Sequence, residues 1–201
     1  MIRLLVCAAT EFEVACFPDR AEVARVVTGV GIPHTLLRLP RYLTEYAPAQ
    51  VLNIGIAGAY PDCELGIGNL ICAVSEVYGD IGFEQTDSSF QPIQGSPFGQ
   101  GYESYALSPL MHRQGNMASG GGCTVNSCTG TRATGEFRRD CFKARFETME
   151  GAAVAQVCNA AGIPVSELRA ISNIAAERDM RPENIRLALE RLKDFLHQWE
   201  M

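Results

Sequence analysis

The sequence predicts a single α/β domain in which a mixed, mostly parallel, twisted sheet is flanked by helices. Apolar segments rich in β-branched residues alternate along the chain with segments of helical period, and this alternation is typical of parallel strands joined by helices. A length of 201 residues suits one domain with one core, and neither a repeat nor a linker divides it. We therefore expect one domain over residues 1–201.

Each predicted element follows from its local pattern, taken in chain order. The apolar runs predict strands near 2–8, 22–29, 50–55, 69–78, 122–128, 144–149 and 164–172. The periodic segments predict helices near 33–46, 150–161 and 182–199. In the last helix, apolar side chains recur at spacings of three and four, as on a helix that packs against a sheet: Ile185, Leu189, Leu192, Leu196 and Trp199. Residues 85–121 show no sustained period, so they predict a long, mobile loop or hairpin insertion.

Charge and hydropathy exclude several classes of partner. The net charge is -6 and the pI is near 5.1, and no run of Lys or Arg offers a surface for nucleic acid phosphates. No apolar run approaches the ~20 residues of a membrane-spanning helix. The apolar first segment has almost no basic residues before it and predicts a buried strand rather than a signal peptide. These features leave a small nucleoside as a compatible ligand.

The cysteines and histidines predict no metal site and no disulfide. The eight cysteines form no C-x-x-C pair and mostly lie in apolar runs, so we expect buried thiols in a reducing compartment. His34, His112 and His197 are scattered and lack the close pairing of zinc ligands. We expect neither a metal nor a cofactor.

In open α/β sheets, ligands bind beyond the carboxyl ends of the strands, so the residues that follow each apolar run are the candidates. Glu13 follows the first strand between Phe12 and Val14, and a half-buried carboxylate there could remove a proton from water. A solvated loop acid is the alternative, and the local pattern alone favours it. Glu150 ends a short strand and begins an apolar helix, a placement that suggests an acid that binds a sugar.

Glycines end two further strands, in T-G-V-G-I-P at 28–33 and N-I-G-I-A-G-A-Y at 53–60. Glycine lets the backbone approach a ligand closely and leaves N–H groups available to it, although either segment could be a tight turn. Neither continues as G-x-G-x-x-G or as a phosphate loop, which disfavours dinucleotides and nucleoside triphosphates.

Two later strands also end in polar residues. The strand near 122–128 runs into Thr129, Gly130 and Thr131, whose backbone could line the edge of a flat heterocycle or form an ordinary strand exit. Asn173 offers a donor and an acceptor within one amide, which suits N7 and O6 of a 6-oxopurine. Helix capping is the alternative role for this asparagine.

Taken together, these segments resemble the purine nucleoside phosphorylase and nucleosidase superfamily from Met1 to about Asp179. The strongest points are I-A-G at 56–58, M-E-G-A-A at 149–153 and R-A-I-S-N at 169–173. The resemblance implies a nucleoside phosphorylase-like fold, with Glu13 activating the hydrolytic water, Glu150 holding the ribose hydroxyls and Met149 packing beneath the sugar. It also implies a cytoplasmic homo-oligomer, a dimer or larger, and a substrate-binding set completed by Ala57, Gly58 and Thr148.

Within this superfamily the chain is most similar to futalosine hydrolases of menaquinone biosynthesis. Asn173 stands where adenine-specific nucleosidases carry Asp, and an amide cannot protonate N7 but can donate to a purine oxygen. E-R-D at 177–179 and Y-G-D-I-G-F-E at 78–84 also resemble that subgroup. A methylthioadenosine/S-adenosylhomocysteine nucleosidase, a purine nucleoside phosphorylase and a non-catalytic nucleoside-binding protein are the alternatives.

Overall fold

The computed structural model describes residues 2–110, 117–177 and 179–200. The strands within these ranges are β1 (Leu4–Ala8), β2 (Val23–Val27), β3 (Gln50–Ala59), β4 (Leu70–Tyr78), β5 (Gly82–Glu84), β6 (Phe90–Pro92), β7 (Tyr105–Ala106), β8 (Ala118–Thr124), β9 (Ala144–Thr148) and β10 (Val165–Ile174). The helices are α1 (Glu11–Val14), α2 (Ile32–Tyr46), α3 (Arg132–Phe142), α4 (Gly151–Ala160) and α5 (Pro182–Gln198).

The main sheet is mixed and mostly parallel, as predicted, and part of it closes on itself. Its order is β10-β4-β8-β9-β3-β1-β2, and β10 also pairs with β3, so that five strands form a ring. Pairs β1–β2, β1–β3, β10–β3, β4–β8 and β8–β9 are parallel, whereas β10–β4, β3–β9 and β4–β7 are antiparallel. The ring brings the carboxyl ends of β3 and β10 beside the end of β9.

The core has two layers because both faces of the sheet are covered. Side chains of β1 alternate between the layers, as the two-residue period of a strand requires: Leu5 and Cys7 on one face, Leu4, Val6 and Ala8 on the other. Helices α2 and α4 cover the first face, and α1 and α5 cover the second. All five residues of β1 are therefore buried, which explains why the segment contains no polar side chain.

The short helix α1 was not predicted, and β3 extends to Ala59 instead of ending at 55. Two further elements differ from the prediction. Helix α3 was not expected, because its sequence is mostly polar and carries a weak apolar stripe; the Thr131 side chain accepts a hydrogen bond from Thr134 N and starts it. Strand β8 spans Ala118–Thr124 instead of 122–128, because its three glycines are paired sheet residues rather than loop residues. A Cβ at Gly120 would collide with the side chain of Arg145.

The predicted insertion at 85–121 contains β6, which forms a small hairpin with β5 just before the insertion. It also contains the short strand β7, which extends the main sheet next to β4, and the start of β8. Residues 111–116, including His112, and Arg178 of the E-R-D segment lie outside the described residues. Mobility of the insertion stays a prediction. Across the described ranges, no helix is both long and apolar enough to cross a membrane.

Candidate active site

A cavity of about 620 Å³ opens where β1, β3, β9 and β10 end. Its wall is largely apolar, with carboxylate, hydroxyl and amide groups among the apolar side chains. The lining residues are Ala9, Thr10, Phe12, Glu13, Val30, Ile56, Ala57, Gly58, Cys128, Thr129, Glu147, Thr148, Met149, Glu150, Ser172, Asn173, Met180, Pro182, Ile185, Arg186 and Leu189. Its volume falls in the range of pockets that enclose a small molecule.

The carboxylate of Glu13 is fixed by three hydrogen bonds. Its Oε2 accepts from the backbone N–H and the hydroxyl of Thr10, at 3.0 and 2.8 Å, while Thr10 caps the start of α1. Its Oε1 accepts from the backbone N–H of Ile56 at 3.0 Å. This capping box holds a buried acid at the cavity wall, as the general-base hypothesis requires.

Arg169 stands behind Glu13 and was not assigned a role from the sequence. Its guanidinium is almost completely buried, Nε donates to Glu167 Oε1 at 2.8 Å, and Nη2 has no partner among the described residues. A Cβ at Gly55 would lie 2.5 Å from both Arg169 Nη1 and Glu13 Oε1, so only glycine leaves room for the two groups. Burial lowers the pKa of Arg169, but the nearby carboxylates of Glu167, Glu150 and Glu13 outweigh this effect and raise the pKa.

Glu150 is the residue from which α4 starts, and its side chain does not cap that helix. Its Oε1 instead accepts the backbone N–H of Gly31 at 2.7 Å. Burial raises the pKa of Glu150, and Arg169 and the Gly31 amide oppose that shift. The glycine segment at 28–33 thus contributes a backbone donor to the site, as its pattern suggested, although the donor binds a carboxylate of the protein.

Asn173 lies on β10 beside the cavity and is half-buried. Its Oδ1 accepts a hydrogen bond from the hydroxyl of Ser172 at 3.0 Å. A Cβ at Gly58 would lie 3.1 Å from Asn173 Nδ2, so the missing side chain at Gly58 gives the amide its space. An amide oxygen has two lone pairs, so the Asn173 side chain can still offer a ligand an acceptor as well as its NH₂ donor.

The segment at 124–131 was expected to contribute Thr129, Gly130 and Thr131 to the site, and one of these three residues lines the cavity. Thr129 lines the cavity, and its N–H and hydroxyl donate to Glu147 at 2.9 and 2.5 Å. Gly130 and Thr131 are not among the residues that line it, and their part in substrate binding stays a prediction. Gly130 is exposed, and Thr131 faces Thr134 at the start of α3.

The structure brings together the other predicted residues, namely Glu13, Ala57, Gly58, Thr129, Thr148, Met149, Glu150 and Asn173. Sequence reasoning missed Glu147 and Arg169, although each is a charge inside an apolar strand, a recognisable signal of a functional or paired residue. It also missed the contribution of α5, whose Ile185 and Leu189 look like ordinary core residues in the pattern. The described residues contain no group of three or more His, Cys, Asp or Glu placed to bind a metal.

Comparison with known proteins agrees with this geometry. The sequence model of the phosphorylase superfamily matches residues 11–199. The chain is 31% identical to futalosine hydrolase of Thermus thermophilus, over 76% of this chain and 69% of that protein. It is 26% identical to 5'-methylthioadenosine/S-adenosylhomocysteine nucleosidase of Anoxybacillus flavithermus, over 79% of this chain and 71% of that protein.

The fold is also that of solved nucleosidases. A futalosine hydrolase mutant of Helicobacter pylori strain 26695 superimposes with a TM-score of 0.79 at 19% identity, over 98% of this chain and 97% of that chain. The match extends over almost the whole chain, and the relatives in sequence are N-ribosyl hydrolases. This chain therefore belongs to the phosphorylase superfamily, within which its relatives include futalosine hydrolases and methylthioadenosine/S-adenosylhomocysteine nucleosidases.

Proposed function

We propose that this chain is a nucleosidase that hydrolyses futalosine to hypoxanthine and dehypoxanthine futalosine. The observation that carries the choice of base is the amide of Asn173 at the cavity wall, whose NH₂ group can donate to a ligand. An amide donor complements O6 or N7 of hypoxanthine. The 6-amino group of adenine is itself a donor and cannot accept a hydrogen bond from this NH₂ group.

The proposed reaction divides the cavity into three positions. Asn173 binds the leaving base, and Glu150 accepts hydrogen bonds from the ribose hydroxyls. Glu13 removes a proton from water as the water oxygen bonds to C1′. The C1′–N9 bond breaks, its electron pair passes to the purine, and the base takes up a proton when it is released.

Electrostatics supports an oxocarbenium-like transition state at this place. Glu13 and Glu150 are both buried and line the same cavity, so developing positive charge on the ribose meets two carboxylates in a medium of low polarity. Arg169 lies behind them and balances part of their charge without lining the cavity. A positioned charge of this kind contributes roughly 3 kcal/mol when it acts mainly in the transition state.

Hydrolysis fits the cavity better than phosphorolysis. A phosphorylase holds its phosphate with cationic groups, most often arginines. In the described part of the chain, Arg186 is the one basic residue that lines the cavity, and its side chain is exposed near Glu190. A buried phosphate position with a fixed cation is therefore not formed by these residues.

A methylthioadenosine/S-adenosylhomocysteine nucleosidase is the second candidate. Relatives with this name match the chain at 26% identity, compared with 31–33% for the futalosine hydrolases of Thermus thermophilus and Streptomyces coelicolor. Both kinds of enzyme break the same type of bond. The two functions differ in the base and in the 5′ substituent that the cavity accepts.

A homo-oligomer in the cytoplasm, acting in menaquinone biosynthesis, completes the proposal. Phe12 and Val30 line the cavity and are 78% and 51% exposed, respectively. Large apolar side chains so exposed at the mouth of a ligand cavity favour coverage by a second copy of the chain. Gel filtration with light scattering would measure the number of subunits.

The deciding experiment measures base release by chromatography. Purified protein is incubated with futalosine, methylthioadenosine, S-adenosylhomocysteine and inosine, each with and without phosphate. We expect hypoxanthine from futalosine at the same rate in both conditions. Adenine release would establish the second candidate, and release that needs phosphate would establish a phosphorylase.

A matched pair of variants tests the chemistry. Glu13→Gln keeps the size of the side chain and removes the base, so turnover should fall by roughly 100- to 10,000-fold. Glu22→Gln changes an exposed acid that is not among the residues lining the cavity and should leave turnover unchanged. Equal turnover in the wild type and Glu13→Gln would contradict the mechanism, and absence of turnover from every nucleoside in the wild type would favour a binding role.

A further inference from the structure

A pair of acidic side chains lies behind the cavity wall, outside the set of lining residues. Glu76 of β4 and Glu167 of β10 are 0% and 1% exposed, and their carboxyl groups lie close together, since a Cβ on Gly151 would meet both of them. Two buried carboxylates in contact would repel each other strongly if both were charged. One of the two must therefore hold a proton, and hydrogen bonding shows which.

Glu167 has the partners of an ionised carboxylate. Its Oε1 accepts from Arg169 Nε at 2.8 Å, and its Oε2 accepts from Asn53 Nδ2 at 3.1 Å. Both oxygens thus receive an N–H group, and one of these groups is cationic. Such partners stabilise the charged form of a carboxyl group.

Glu76 has no cation of its own. Its Oε2 accepts from the hydroxyl of Thr124 at 2.7 Å, and the hydroxyl of Thr148 lies 3.5 Å from Oε1. Burial raises the pKa of Glu76 well above its ordinary value and the charge of Glu167 raises it further, whereas Thr124 and Arg169 lower it. The titratable groups that act on the pair from the surrounding elements are Cys7, Tyr78, Cys123, Glu150 and Arg169.

The pair is connected to both acids of the cavity. On the side of Glu13, Glu167 fixes Nε of Arg169, whose Nη1 lies beside Glu13 across Gly55. On the side of Glu150, Gly151 leaves room for both carboxyl groups: a Cβ there would lie 2.9 Å from Glu167 Oε2 and would collide with Glu76. Gly151 immediately follows Glu150.

The first turn of α4 is tied to Glu76 through two threonines. The N–H of Gly151 donates to Thr148 Oγ1 at 3.1 Å, and the N–H of Ala152 donates to Thr124 Oγ1 at 2.7 Å. Thr124 in turn donates to Glu76. The helix start that carries Glu150 therefore depends on the same buried pair that fixes Arg169.

We propose that Glu76 and Glu167 are positioning residues that share one proton, carried by Glu76, and that together align Arg169 and Glu150 with the substrate. This inference rests on the proposed function, because the reaction that it serves is N-glycosidic hydrolysis. The charge of Glu167 is required to hold Arg169. The proton of Glu76 is required to hold Glu167, and any neutral donor of the same size can replace it.

Two substitutions separate these roles. Glu76→Gln supplies a neutral donor of similar size and should keep kcat close to that of the wild type. Glu167→Gln removes the charge that fixes Arg169 and should lower kcat by about 100-fold while KM changes little, as expected for a misplaced catalytic group. Glu45→Gln, on the exposed surface of α2, is the matched control and should change neither constant.

Circular dichroism and unfolding midpoints would show that each variant is folded before its kinetics are compared. Full activity of Glu167→Gln would overturn the positioning role. Loss of kcat in Glu76→Gln as large as in Glu167→Gln would overturn the assignment of the proton to Glu76.

Infrared spectroscopy tests the shared proton without any turnover. The difference spectrum between the wild type and Glu76→Gln at neutral pH should contain the carbonyl stretch of a protonated carboxylic acid, and the difference with Glu45→Gln should lack it. Absence of the band from the first difference would overturn the proposal. If the wild type releases no base from any nucleoside, the proposed function fails, and this spectrum still decides whether the pair shares a proton.

Discussion

The backbone N–H of Gly31 donates a hydrogen bond of 2.7 Å to Oε1 of Glu150, although 119 positions separate the two residues in sequence. Gly31 adopts φ 90° and ψ 163°, a conformation that other residues rarely take. A backbone donor thus orients one oxygen of Glu150, the residue that we propose binds the ribose. Ribose binding therefore depends on the loop that contains Gly31, which is distant in sequence.

Gly31→Ala should destabilise the protein and weaken substrate binding. A side chain at this φ adds strain of about 1–3 kcal/mol, and relief of the strain would move the N–H away from Glu150. Denaturant unfolding and KM would measure the two effects. Gly66→Ala is the control, because its Cβ would meet Asn69 Oδ1 at 3.7 Å and should alter stability by less than about 0.5 kcal/mol.

The decrease of kcat/KM at acidic pH, the acid limb of the pH profile, should be caused by protonation of Glu150. Its carboxylate must be charged to bind the ribose, and burial raises its pKa above the ordinary 4.5. As pH falls, kcat/KM should therefore decrease at a higher pH than an ordinary glutamate would allow. Glu150→Gln should lower kcat/KM by roughly 100- to 1,000-fold and move this limb to a different pH. A limb that stays at the same pH in Glu150→Gln would assign it to another group.

Asn173→Asp should shift base preference toward adenine. A carboxyl group can share a proton with N7 and accept from the 6-amino group, whereas the amide donates to O6. The ratio of kcat/KM for adenine over hypoxanthine nucleosides should rise by about 10-fold, the equivalent of one hydrogen bond. Asn159→Asp, on the exposed part of α4, should leave the ratio unchanged. An unchanged ratio in Asn173→Asp would show that other residues select the base.

Glu76 should make the protein less stable as pH rises. Its pKa in the folded protein lies well above 4.5, so the unfolded chain ionises first. The stability contributed by its proton is fully present below the unfolded pKa and is lost as pH rises toward the folded pKa. Glu76→Gln should remove this dependence, so its unfolding midpoint should increase relative to that of the wild type as pH rises above about 4.5. Parallel curves for both proteins would contradict the assignment.

The sequence predicted the fold because the strands that carry it are almost entirely apolar. Strand β1 is buried over all five residues, and α5 presents a regular apolar stripe, so hydrophobic period alone locates them. Helix α3 was not predicted because the helix that packs against β8 and β9 is mostly polar in sequence. The first part of β8 was not predicted because its glycines make room for side chains of the neighbouring strands. This is a tertiary effect, which a local sequence pattern does not show.

The same distinction explains the site. Glu13, Glu150 and Asn173 follow apolar runs and could be predicted, because chain position places them at strand ends. Arg169 and Glu147 gain their places from partners far along the chain, Glu13 and Thr129 among them. Their pairing depends on the closed ring of strands, and that closure is not encoded in the period of any single segment.

Strand β3 is shared by three neighbours, since its first four residues pair with β1, its last two with β9 and nearly its whole length with β10. If one residue were inserted into or deleted from β3, every side chain beyond that point would move to the opposite face of the sheet. Evolution can therefore vary this strand by substitution but hardly by length. Divergence in chain length among relatives should concentrate in the segment between β4 and β8, where new contacts to a 5′ group can arise without disturbing the reacting atoms.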